Sequence, residues 1–183
     1  MREPIISLQL KEGVATPFAL EIGEISLSWN DAHATIFRAF EAFSGMDQQR
    51  AAIIFYGIPS DSQRRHLTAT LARHYKSNSN DIDLNNHIDD FCKLLETLEK
   101  KFSRIRNGTV HATFAINYQY EVVMNPYIPA QSNKHPSHFE YDGITPVKDI
   151  LMKCKRHIDE LSEELGELVN IFLLKCPLHE PSS

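Results

Sequence analysis

The stretch that decides the fold runs from Leu84 to Thr109 and reads LNNHIDDFCKLLETLEKKFSRIRNGT. Its apolar residues, Leu84, Ile88, Phe91, Leu95, Leu98, Phe102 and Ile105, advance by steps of four and three, and Thr109 closes the series. Steps of that size return to the same side of an α-helix, so the pattern predicts one long helix with a continuous buried stripe. The alternation recurs in Val147, Leu151, Cys154, Ile158, Leu161, Leu165, Leu168 and Phe172. Thr145 can cap this second long helix, and Pro146 stands at the first helical position, where a missing N–H costs nothing. Two such stripes predict helices packed side by side in a bundle.

Working outward, Trp29, His33, Ile36, Phe40 and Phe43 also step by four and three, and Gly45 comes next as a stop signal. A second helix is expected from about Asp47 to Tyr56, ended by Gly57-Ile58-Pro59. Ser60-Asp61-Ser62-Gln63 has the form of a capping box and opens a third helix to about Tyr75, with a polar loop over Lys76–Asn80. Residues 1–27 alternate in places (Ile6, Leu8, Leu10; Leu20, Ile22; Ile25, Leu27) and are read as an N-terminal extension of short strands or extended chain, broken at Pro17. Between the long helices, Ala112, Phe114, Ile116, Tyr118, Tyr120 and Val122 alternate as in a strand. Residues 125–137 read as a loop, and Phe139-Glu140-Tyr141 as a returning strand before the Asp142-Gly143 turn. The expected fold is mainly α: an up-down bundle of about four to five helices over 28–183, with a hairpin and loop inserted at 112–143.

A chain of 183 residues fits a single domain, and no internal repeat is evident. A net charge of −5 argues against a general nucleic-acid coat, so any RNA contact must be a local patch. Three cysteines, Cys92, Cys154 and Cys176, with no C-x-x-C pair, make neither a disulfide framework nor a zinc cage. Cys154 lies in an apolar stripe and is read as packing. The N-terminal residues lack the apolar run of a signal peptide, and no stretch reads as membrane-spanning; a cytoplasmic protein is expected.

The chemistry-bearing set stands at the end of the helix quoted first: Arg106-Asn107-Gly108-Thr109-Val110-His111. Asn107 and His111, four apart, share a face on a regular helix. Arg104, Lys100 and Lys93 precede them along the same face, opposite the Leu98-Phe102-Ile105 seam, which makes a basic stripe suited to RNA. Arg106 lies about 140° around from His111. The two converge if the arginine reaches around, the helix loosens at Gly108, or a second chain closes the site. An imidazole near its ordinary pKa of about 6.5 can take the proton of an RNA 2′-hydroxyl or supply one to the leaving oxygen. A guanidinium steadies the charge that builds on the phosphate, and an asparagine can orient either partner. No metal is needed for a 2′-hydroxyl attack.

Arg106-Asn107-x-x-x-His111 resembles the motif of the HEPN (higher eukaryotes and prokaryotes nucleotide-binding) superfamily, in which Arg, commonly with Asn directly after it, precedes His by four to six intervening residues at the end of a bundle helix. The resemblance extends over residues 28–174. It implies a dimeric helical bundle with two motifs facing across a cleft. It also implies a metal-independent endoribonuclease without cofactor, with Arg106 and His111 catalytic and Asn107 supporting. Toxin–antitoxin or phage-defence systems, and hence an antitoxin partner, are the implied setting. Thr113 stands where nucleotidyltransferase-paired toxins of the superfamily often carry tyrosine. Because some members only bind, a catalytically silent RNA-binding or protein-interaction module is the alternative expectation, and a plain helical dimerisation module a third.

The remaining candidates read as structure. His135 and His138 lie in a loop rather than a metal site. His33 reads as a core or interface histidine, and Trp29, Phe37, Phe40 and Phe43 as core. Arg64-Arg65-His66 reads as a solvated face. Asp159, Glu160, Glu163, Glu164 and Glu167 form an acidic solvent face.

Overall fold

The computed structural model describes residues 18–103, 106–107, 113–116, 122–125 and 147–176. The chain is mainly helical. Its elements are α1 (Ala19–Ser44), α2 (Gln48–Gly57), α3 (Asp61–Ser77) and α4 (Ile82–Thr97), then a π-helical turn (Leu98–Phe102), strands β1 (Thr113–Ile116) and β2 (Val122–Asn125), and α5 (Val147–Lys175). The chain divides into two compact units: residues 1–28 with 100–158, and residues 29–99 with 159–183.

The second unit is a packed helical bundle. Its core is aromatic: Phe43 of α1 meets Phe172 of α5 (ring centroids 4.8 Å apart) and Phe91 of α4 (6.1 Å), while Phe91 and Phe172 meet edge-on. A second cluster joins Phe37 and Phe40 of α1 to Phe55 of α2, each pair at 5.4 Å. Offset and edge-on rings at these spacings add to the stabilisation from burial alone. The α4 stripe is buried as its spacing predicts, from Leu84 through Leu95. On α5 the stripe shifts by one residue near its end, where Val169 is fully buried and Leu168 only half-buried. A strict four-three repeat drifts about 20° per heptad on a straight helix, so over several turns the next residue takes the inner position.

The helix ends obey local chemistry. Gly45, after α1, has φ 64°, a left-handed conformation that suits glycine. Asp47, Ser60 and Asp81 cap α2, α3 and α4, each side chain accepting from a backbone N–H three residues on. Asp81 also receives Lys175 Nζ at 2.8 Å, which ties the last turn of α5 to the first of α4.

Residues 19–27, expected to be extended, are the opening turns of α1. The alternating apolar residues misled because Leu20 and Leu27 are 71% and 64% exposed. The buried face here is Glu21, Ile25, Ser28 and Trp29, a helical stripe disguised by a glutamate and a serine. In the first unit, Glu21 receives Lys148 at 3.4 Å, and Phe102 packs edge-on against His157. Strands β1 and β2 pair antiparallel, Thr113 opposite Asn125 and Ile116 opposite Val122. Alternation read the stretch 112–122 as one strand, but alternation fixes faces and not partners. The partner strand begins at Val122, inside the stretch whose alternation was read as continuous. Phe139–Tyr141, read as the returning strand, lies outside the described residues.

Candidate functional site

The π turn separates α4 from the motif. It spans Leu98–Phe102 and closes a wider turn, with i→i+5 hydrogen bonds in place of i→i+4. The single basic stripe drawn from Lys93 through Lys100 to His111 presupposes a regular α-helix over residues 98–102, where the structure has a π turn. Lys93, on the last turns of α4, is exposed and bonded to Asp90 at 2.8 Å. That hydrogen bond raises the Lys93 pKa, and the same bond lowers that of Asp90. Lys100 lies exposed within the π turn, next to Lys101, whose ammonium sits 5.2 Å from the Phe102 ring centroid.

Of the motif, the structure describes Arg106 and Asn107. Both are helical and half-buried, and Arg106 Nη1 donates to Asn107 Oδ1 at 2.9 Å. The bond orients the guanidinium through its neighbour's amide, whose own N–H donors stay available for another acceptor. Arg104 and His111 lie outside the described residues, as do His135 and His138.

A second constellation, missed in the sequence, is buried in the other unit. Arg65, on α3, is 3% exposed and His33, on α1, 7%. Arg65 Nη1 lies 2.9 Å from His33 Nε2. Its Nε donates to Glu99 Oε2 at 3.1 Å, and its Nη2 also bonds that oxygen. Ser62 Oγ donates to the other Glu99 oxygen at 3.1 Å. Trp29 lies beneath the Arg65 guanidinium at 5.4 Å and donates its indole N–H to Asp61 Oδ2 at 3.1 Å. The same Asp61 oxygen is 3.8 Å from His33 Nε2. Burial works to raise the Asp61 pKa. It is outweighed by His33, the Trp29 bond, Arg64 and Arg65, and the net shift is downward.

The reading of Arg64-Arg65-His66 as a solvated face is therefore corrected for its arginines. Arg65 is interior, and Arg64 donates to Ile58 O at 2.8 Å and Tyr56 O at 3.4 Å, covering the carbonyl end of α2. The signal for Arg65 was present: Arg65, Thr68, Ala69 and Ala72 share the buried face of α3 at helical spacing. A charged residue on an otherwise small, buried stripe requires a partner from a neighbouring helix. His33 is a core histidine, as its place on the α1 stripe predicts.

The three cysteines are buried thiols, not joined in a disulfide. Among the described residues no three His, Cys, Asp or Glu side chains gather as metal ligands, and no helix is long and apolar enough to cross a membrane. No family model, no curated protein and no solved structure matches the chain.

Proposed function

We propose that this protein is a metal-independent endoribonuclease of the HEPN type, acting in the cytoplasm as a homodimer. The observation that carries the reading is the Arg106-Asn107-x-x-x-His111 motif after a long helix, with Arg106 held by Asn107 Oδ1. In this mechanism His111 takes the proton from the 2′-hydroxyl and returns one to the leaving 5′-oxygen, while Arg106 balances the charge gathering on phosphorus. The 2′-oxygen bonds to phosphorus as the P–O5′ bond breaks, leaving a 2′,3′-cyclic phosphate and a 5′-hydroxyl. Asn107 holds the guanidinium in place, and Lys100 and Arg104 attract the RNA strand. The setting is taken from the family resemblance: a toxin restrained by an antitoxin, or phage defence.

The test is RNA cleavage in EDTA by purified protein, with Arg106→Ala and His111→Ala compared. Loss of cleavage in both variants, with unchanged helical circular dichroism, supports the reading; cleavage that survives both, or that needs added metal, rejects it. The half-burial of Arg106, which restricts its reach to a scissile phosphate, favours one second reading, a silent RNA-binding module. Salt-sensitive RNA binding without cleavage at high protein concentration would select it.

A further inference from the structure

We infer that His33 is the pivot of a proton-operated switch in the helical bundle: neutral, it accepts a hydrogen bond from Arg65; protonated, it turns to Asp61. Guanidinium is a donor only, so the Nη1 contact at 2.9 Å requires a lone pair on His33 Nε2 and therefore a neutral ring at that nitrogen. A proton on Nε2 places two donors face to face and abolishes the bond. The same nitrogen already lies 3.8 Å from Asp61 Oδ2, an anion that gains from an imidazolium beside it. One side chain is thus shared between a cation that needs it neutral and a carboxylate that favours it charged.

The surrounding charges fit two alternative states. From α3, His33 is faced by Arg65 and Asp61. Arg64 holds the second Asp61 oxygen at 3.2 Å. Glu99, in the π turn, neutralises Arg65 from behind and keeps doing so in either state. On α1 itself the neighbouring ring is Trp29, 5.3 Å from the His33 ring. Asp61 is bonded by Trp29 at one oxygen and Arg64 at the other, partners of its ionised form, so the acceptor for protonated His33 is in place when the proton arrives. The exchange strips one Nη1 hydrogen bond from a buried arginine, which weakens the hold of α3 on α1 in acid.

The chain carries its own reporter, since Trp29 is the single tryptophan. Its indole N–H donates to the oxygen that would receive His33, and its ring lies against the imidazole. The experiment tracks Trp29 emission and the indole N–H resonance of the full chain from pH 8.5 to 4.5, with far-ultraviolet circular dichroism confirming the fold at each point. Expected is a single step inside the imidazole window of about pH 5 to 8, with emission quenched and the indole proton moved upfield in acid. His33→Gln removes the step, and Asp61→Asn moves its midpoint to lower pH by at least about half a unit. A flat wild-type profile overturns the inference. So does a step retained by His33→Gln, or a midpoint that Asp61→Asn leaves in place. Should His33→Gln fail to fold, the wild-type indole resonance and the Asp61→Asn shift still decide.

Discussion

Arg65 shows how much a single buried charge organises. Its guanidinium is bonded by Glu99 and His33 and stacked on Trp29, so each polar group has a partner although the residue is 3% exposed. Arg65→Ala removes the cation and leaves a cavity between α1 and α3. Glu99 is 44% exposed and regains water, so the loss is smaller than for a fully buried pair: about 2–3 kcal/mol in urea unfolding. Arg65→Met, which keeps the aliphatic stem, recovers part of it. A loss below about 0.5 kcal/mol for Arg65→Ala contradicts this account. Tyr75 offers a test at the other end of the pH scale. Burial, with the Cys176 bond adding to it, pushes its phenol up to about 12. A raised folded pKa means its contribution is complete below about pH 10, the unfolded value, and is lost as pH climbs toward 12. Between pH 9 and 11.5 the urea midpoint of the wild type therefore falls further than that of Tyr75→Phe. Equal falls dismiss the effect.

At the scale of elements, most of the bundle was legible because its signals are local. Ser60 caps α3 as the Ser60-Asp61-Ser62-Gln63 stretch predicts, its oxygen accepting from Gln63 N at 3.4 Å. Ser60→Ala should cost about 1 kcal/mol by thermal or urea unfolding, and Ser60→Asp should restore it. If Ser60→Ala is neutral, water replaces the cap and the signature carries no stability here. The stripes of α4 and α5 were likewise readable, since a four-three repeat has one geometric meaning. The opening of α1 was not. Its inward face uses Glu21 and Ser28, and its exposed Leu20 and Leu27 imitate a strand. The π turn at Leu98–Phe102 was also invisible, because Leu98 and Phe102 keep the apolar spacing of an α-helix and both are buried. Of the candidate site, the residue types were legible in the sequence, whereas Arg104 and His111 lie outside the described residues.

For the molecule as a whole, the net charge of −5 means that the proposed RNA binding must rest on a local site, and such binding should be strongly salt-dependent. The expected assembly is an isologous dimer bringing two copies of the motif together. Sedimentation at micromolar concentration should therefore give about 42 kDa, twice the 20.9 kDa of one chain; a monomer that still cuts RNA would remove the two-motif cleft from the mechanism. The central claim concerns the nucleophile. A short RNA cut at a mapped position is resynthesised with one 2′-deoxy nucleotide on the 5′ side of that bond and incubated with the protein in EDTA. The account predicts that this bond becomes resistant while the all-ribose strand yields a 2′,3′-cyclic phosphate. Cleavage of the deoxy-substituted bond at the original rate would show that the attacking oxygen comes from elsewhere and would contradict the assignment of His111 as the base.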